Sequence, residues 1–157
     1  LYIIHAQPGD IPDWLGLAAE VEYLFGPMVG EPGFHQALER NIERGTALCI
    51  RESNGPAGSP LLAGLLFSAT HAPRYRIGWL AVAARQRRYG LGQALVGHML
   101  AAITPPAELE VVTFLRASRR LHPAKVGQPQ RGRRNLTDEL ALAALELQIE
   151  RQGEKGR

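Results

Sequence analysis

The sequence is short of the features that mark most specialised protein classes. Its 157 residues include one cysteine, Cys49, so no internal disulfide can form and a reducing, cytoplasmic setting is expected. No Cys/His cluster has zinc-site spacing, and no metal is expected. No apolar run approaches the roughly 20 residues that span a bilayer. The longest such runs, around 61–67 and 95–103, are core-sized, so no membrane partner is expected. Leu1-Tyr2-Ile3-Ile4-His5 lacks a basic flank or small-residue cleavage site, which argues against a signal peptide, and the missing initiator Met suggests a clipped or partial chain. Aromatic residues stop at Phe114 and tyrosines at Tyr89. Acids are absent from 74–88 and from 116–134, and the second stretch holds seven Lys/Arg.

What is present is ordinary for one globular domain: 45% hydrophobic and 21% charged residues, with a net charge of +3. A basic run is usually a solvated face. Beside a glycine loop, however, it raises local anion concentration. Nucleic-acid binding through the two basic stretches is disfavoured, since no helix-turn-helix, zinc-finger or stacking-aromatic pattern accompanies them.

Hydrophobic patterning predicts an alternation of strands and helices. Residues 2–5 read as a short strand. Asp10 is placed to cap a helix with Pro12 in its first turn. Trp14, Leu17, Ala18, Val21, Leu24 and Phe25 share that helix's apolar face, and Gly26-Pro27 ends it. A second helix is expected over 34–44, with Phe34, Leu38 and Ile42 on one side and Gly45 just past its end. Strands follow at 46–52 and 61–68 across a Gly/Pro/Ser-rich turn at 53–60. A further strand, 75–83, is expected to place Tyr75, Ile77 and Trp79 on one face and Gly78, Leu80 and Val82 on the other. A helix over 91–103 carries Leu91, Leu95, Met99 and Ile103 as one stripe. Pro105-Pro106 stops it, and 109–115 is the next strand. Strand, helix and strand at this spacing make a parallel βαβ unit. The stretch 116–134 has no hydrophobic period, and 135–151 reads as a helix capped by Thr137.

One segment carries chemistry: Val82-Ala83-Ala84-Arg85-Gln86-Arg87-Arg88-Tyr89-Gly90-Leu91-Gly92-Gln93-Ala94-Leu95. A strand ends, a basic turn and two glycines follow, and a helix begins. Glycine permits backbone conformations closed to other residues. The amides at a helix start have no internal partner and favour an anion. Arg87 and Arg88 add charge where a pyrophosphate would sit. A Walker loop would require Gly-Lys-Ser/Thr, and Gly92-Gln93-Ala94 supplies neither the lysine nor the hydroxyl. A dinucleotide fingerprint would require Gly or Ala where Leu95 stands, and an acid near the end of the following strand, whereas Glu110 lies near its start.

The segment resembles the signature of the GNAT N-acetyltransferase superfamily, Arg/Gln-x-x-Gly-x-Gly/Ala, with Arg87, Gly90 and Gly92 in the defined places. Leu80-Ala81-Val82 upstream and Ala94-Leu95 downstream fit as well, and the resemblance extends over about residues 2–115. It implies an α/β (α+β) fold, a central mixed sheet flanked by helices. Residues 1–115 would form the acetyl-CoA-binding core, and 116–157 an atypical basic segment and C-terminal helix of the same domain. It further implies that backbone groups of Leu80, Ala81 and Val82 hold the pantetheine arm, and that the loop Arg87, Arg88, Tyr89, Gly90, Leu91, Gly92 and Gln93 holds the pyrophosphate. The implied reaction is direct attack of a primary amine, on a small molecule or a protein, on the thioester of acetyl-CoA. A homodimer is compatible with this reading.

The resemblance leaves the acid–base groups open. Relatives often carry a Glu on the strand equivalent to 75–83, and none stands there. Glu20 and Glu22, on the first helix, are the candidate bases, with His35 and His71 as other groups that could titrate near neutrality. For Glu20 and Glu22 the alternative is a solvated helix face. Cys49 is expected to be a small buried hydrophobe, Trp79 and Phe25 to pack in the core, with walling a pocket as their alternative, and His98 to sit at the surface or an interface. The aromatic-Tyr-x-x-x-Gly-Phe motif of relatives has no match after residue 115, so no general acid is assigned. Either the C-terminus is divergent or the reading frame shifts near Arg116. A catalytically impaired acyl-CoA-binding domain is the alternative function.

Overall fold

The computed structural model describes residues 1–104, 106–111 and 124–126, although the side chains of Leu24 and Phe25 and those of 111 and 124–126 fall outside that description. The strands are β1 (Ile4–His5), β2 (Ala47–Arg51), β3 (Leu61–His71), β4 (Arg74–Val82), β5 (Ala107–Val111) and β6 (Ala124–Val126). The helices are α1 (Ile11–Phe25), α2 (Pro32–Glu43) and α3 (Leu91–Ala101). The strands form one sheet in the order β1-β2-β3-β4-β5-β6. Every neighbouring pair is antiparallel except β4 and β5, which run parallel on either side of α3.

Two apolar layers sandwich the sheet. On one face, Trp14, Leu17, Ala18 and Val21 of α1 and Leu38 of α2 pack over Ala47, Cys49, Leu66, Trp79 and Ala81. On the other, Leu91, Leu95, Val96 and Met99 of α3, with Ile103, cover Leu48, Ile50, Leu65, Ile77 and Val82. The α3 stripe predicted from spacing is wholly buried. Glycine is required at Gly64, because a Cβ there would come within 2.8 Å of the Trp14 ring. The missing side chain makes room for an indole that is fully buried at 0% exposure.

The helix boundaries follow local chemistry. Gly26, at φ 87°, ends α1 as expected, and Pro32 occupies the first turn of α2. Gly45, at φ 68°, follows that helix in the left-handed conformation. Asp10 departs from its expected role. It precedes α1, yet its side chain makes no cap bond. Its carboxylate instead accepts from Arg51 Nε and Nη2 at 2.8 and 2.7 Å, from Gln7 N at 2.8 Å and from Gly58 N at 3.2 Å. A bidentate guanidinium is a stronger partner than a single helix amide.

The face assignment of β4 is also corrected. Leu66 pairs with Trp79, but the next residue, Phe67, pairs with Ile77, so Gly78 is an extra residue in β4. This bulge reverses the alternation. Tyr75 and Ile77 therefore lie with Leu80 and Val82 on the α3 side, while Trp79 and Ala81 lie on the α1 side. Within the stretch 116–134, read as patternless, Ala124–Val126 pairs antiparallel with β5. The predicted helix at 135–151, its cap Thr137, and residues 112–115 of the predicted strand lie outside the described residues. Among the described residues, no helix is long and apolar enough to cross a membrane.

Candidate functional site

The site is built where β4 gives way to α3. A single 3-10 turn, Ala84–Gln86, leaves the strand end. Arg88 then takes φ 72° and Gly90 φ 76°, with Gly90 as the residue preceding α3. Two left-handed residues so close together turn successive amides toward one concavity. The first intrahelical bond runs from Ala94 N to Gly90 O at 2.9 Å. The amides of Arg88, Tyr89, Gly90, Leu91, Gly92 and Gln93 donate to no acceptor among the described residues. They lie at the positive end of the α3 dipole, so the concavity suits an anion. A Cβ built on Gly90 meets only Gln93 Oε1, at 3.7 Å. Glycine is favoured there by φ, not by crowding.

Arg87 does not project freely into this concavity. Its Nε donates to Val82 O and its Nη1 to Tyr23 OH, both at 3.2 Å. Its Nη2 is buried and has no protein partner among the described residues. A buried guanidinium N–H without an acceptor is costly. Arg88 and Tyr89 are exposed, Tyr89 at 75%.

The strand before the loop turns some of its backbone groups away from β3. The parallel register with β5 ends at Ile77↔Val111 among the described residues. Ala83 N donates to Leu62 O at 2.8 Å. Alternation in an antiparallel pair then turns the backbone groups of Ala81 toward β3, and those of Leu80 and Val82 toward the opposite edge. Of the three residues singled out in the sequence, Leu80 and Val82 therefore turn their backbone groups to the edge away from β3. The Arg87 contact to Val82 O lies on that same edge.

The two candidate bases sit at opposite ends of the site. Glu20 Oε2 accepts from Ala84 N at 3.2 Å, beside the loop. Glu22 Oε1 accepts from Met28 N at 2.9 Å and Val29 N at 2.8 Å. Those two backbone bonds hold the Glu22 carboxyl below its ordinary value. His35, half-buried, places Nε2 2.5 Å from Val29 O. His71 and His98 are exposed and lie apart from the loop turn. Cys49 is buried, and burial followed by the nearby Asp10 charge pushes its thiol up to about 12, as befits a core residue. Trp79 is packed against Trp14 and Phe34, with ring centroids 5.5 and 6.0 Å away, and its Nε1 donates to Met28 Sδ at 3.3 Å. Among the described residues, no group of three or more His, Cys, Asp or Glu could hold a metal ion.

Sequence reasoning missed Tyr23 and the Met28–Val29 turn. A signal for Tyr23 was available: it stands three residues after Glu20, so both reach from one helix face to the loop. The turn offered none, because its anchors are backbone groups.

Solved structures share this fold, two of them as follows. One is N-acetylglutamate synthase from Neisseria gonorrhoeae, complexed with coenzyme A and N-acetyl-glutamate, at 21% identity and a TM-score of 0.54. The match covers 70% of this chain and 24% of that one. The other is ribosomal-protein-alanine N-acetyltransferase from Brucella melitensis, at 19% identity and a TM-score of 0.50, covering 64% of this chain and 65% of that one. This chain thus corresponds to about a quarter of the first protein and to less than two thirds of the second. At these identities the likeness is one of fold: a mixed sheet with flanking helices over part of the chain. No protein-family model matches the sequence, and no curated protein does.

Proposed function

We propose that this chain, GNAT-like in fold, is an acetyl-CoA-dependent N-acetyltransferase that acetylates a primary amine on a small molecule or a protein by direct attack. The observation that carries the reading is the row of amides from Arg88 to Gln93, which have no acceptor among the described residues, set between the end of β4 and the start of α3. Diphosphate suits such a cradle, and Arg87 adds a cationic side chain whose Nη2 has no partner among the described residues. The Leu80 and Val82 edge gives an extended amide-bearing arm a strand to pair with.

Acetyl-CoA would supply the acetyl group as an activated thioester. The chain's own contribution is to bind and orient it. Anchoring one end at the loop and the arm along β4 directs the thioester toward Trp79 and the Gly78 bulge, a positioning effect. Glu20 is not retained as the base in this proposal. It is bonded at Ala84, in the turn beyond the end of β4, which itself runs about 10 Å past Trp79 at a strand rise of about 3.3 Å per residue. Glu22 is on the correct side, but its lowered pKa and its two backbone bonds suit it to another role.

Calorimetry with acetyl-CoA, followed by thiol release on an amine panel, tests the proposal. The panel should include L-glutamate and a peptide with an N-terminal alanine, since the names of the two structural neighbours point to those acceptors. Binding with turnover on at least one amine is expected. No binding at millimolar acetyl-CoA would defeat the reading. The absence of any tyrosine after Tyr89 favours a second reading, an acyl-CoA-binding domain without transfer, and binding without turnover on a broad panel would select it.

A further inference from the structure

The turn between α1 and α2 is fixed more firmly than a connection of its length requires. Glu22 Oε1 takes the amide protons of both Met28 and Val29. His35 Nε2 lies against the carbonyl of Val29. A carbonyl can only accept, so this nitrogen carries the proton and donates. Val29 is thereby gripped at its N–H by one helix and at its C=O by the other. Met28, 8% exposed, is in turn bonded through Sδ to the indole N–H of Trp79. Trp79 directly follows the Gly78 bulge and precedes Leu80, whose backbone groups turn away from β3. The turn is therefore tied to the stretch of strand at which an arm anchored at the loop would end.

We propose that Glu22 and His35 are positioning residues for the amine acceptor: together they hold Met28 and Val29 as a fixed apolar wall against Trp79, beside the reacting thioester. The inference rests on the acetyltransferase reading above. It removes Glu22 from the role of base and gives its carboxylate a mechanical one. An apolar wall at this point favours acceptors whose amine is carried on a neutral or aliphatic neighbour, because a charged group against Met28 and Val29 would lose hydration without a partner.

Two substitutions separate the roles. Glu22→Gln keeps an oxygen able to accept both amide protons but cannot take up a proton as a base. Glu22→Ala keeps neither property. Both are assayed for thiol release at saturating acetyl-CoA, with the amine of the panel that wild type uses best, and for acetyl-CoA affinity by calorimetry. Hydrogen exchange at the Met28 and Val29 amides reports on the wall itself. In Glu22→Ala the acceptor KM is expected to rise about tenfold, with kcat changed less, acetyl-CoA affinity within about twofold and both amides exchanging faster. Glu22→Gln is expected to restore acceptor KM and kcat to within about threefold of wild type. His35→Ala should raise acceptor KM in the same direction as Glu22→Ala, which provides a second variant if the latter folds poorly. A kcat loss of about a hundredfold or more in Glu22→Gln would make Glu22 a base and overturn the inference. An unchanged acceptor KM in both alanine variants would also overturn it. Wild-type protein that binds acetyl-CoA but acetylates no amine of a broad panel overturns the wall and leaves the cofactor site standing; failure to bind acetyl-CoA defeats the underlying reading instead.

Discussion

Gly90→Asp is expected to weaken acetyl-CoA binding by at least about a hundredfold while the protein stays folded. Gly90 sits at φ 76° as the residue before α3, where its own amide and its neighbours' are unpaired. A carboxylate placed there would face the ligand's diphosphate. At about 4 Å and an effective dielectric of about 20, two like charges repel by about 4 kcal/mol. About 2.7 kcal/mol already corresponds to a hundredfold. The left-handed conformation adds a smaller penalty, since Asp visits it more readily than most residues. Steric conflict is not part of the effect, because a Cβ at this position meets only a side-chain oxygen at 3.7 Å. Gly90→Asn provides the control. It has nearly the same shape and tolerance for the conformation but no charge, and it should weaken binding only a few-fold. Calorimetry on both variants reads the difference. Equal losses in the two would mean that the backbone, not the charge, dominates.

The second large effect is on stability. Asp10 is fully buried and Arg51 is 7% exposed, and their two short bonds join the start of α1 to β2. Arg51 Nη1 also donates to Gly55 O at 3.3 Å, and Gly58 N donates to Asp10, so the pair organises the β2–β3 connection as well. Asp10→Asn leaves a buried guanidinium without a counter-charge, and a loss of about 3–5 kcal/mol is expected in urea unfolding. Whole domains of this size are stable by only about 5–15 kcal/mol, so the variant will be marginal. Arg74–Glu108 is the contrasting case: its bond is 3.2 Å, but both side chains are well exposed. Glu108→Gln should cost no more than about 1 kcal/mol.

The Asp10 pair also sets an acid limit. Burial alone would raise the Asp10 carboxyl. The Arg51 hydrogen bond, the amides of Gln7 and Gly58 and the Arg51 charge outweigh it and hold the group below its ordinary 3.8. A carboxyl depressed in the folded state stabilises the fold at pH above its unfolded value, and loses that contribution as pH falls through the folded value. The stability gap between wild type and Asp10→Asn should therefore be widest above pH 3.8 and narrow below it. A gap independent of pH down to acid unfolding would assign the loss to something other than the carboxylate charge.

Much of the site could be read in the sequence because its signals are local. The two glycines, the strand before them and the Leu91–Met99 stripe after them lie within one continuous segment, and periodicity and glycine chemistry act over that range. Cys49 as a core residue and Gly26 and Gly45 as helix ends were legible for the same reason. What escaped depends on pairing between distant residues. The bulge at Gly78 is a mismatch of register against β3, invisible from β4 alone, and it moved Trp79 to the face opposite Ile77. Asp10 looks like a helix cap because its partner stands 41 residues away. That Arg87 also bonds Val82 O and Tyr23 OH could not be read from the segment, because those acceptors come together only in the fold. Glu22 looks like a free carboxylate for the same reason, since its partners are main-chain amides with no sequence signature.

In the proposed complex the amides of residues 88–93 and the outward-facing backbone of Leu80 and Val82 form one binding surface for acetyl-CoA. Backbone amide NMR during an acetyl-CoA titration tests it most directly. The expected result is saturable shifts at Arg88, Tyr89, Gly90, Leu91, Gly92 and Gln93, with Leu80 and Val82 moving together with them. Ala81, whose amide faces β3, should move least among the three strand residues. Saturable shifts confined to the basic stretch 116–134, or none at the loop while the ligand binds elsewhere, would contradict the claim.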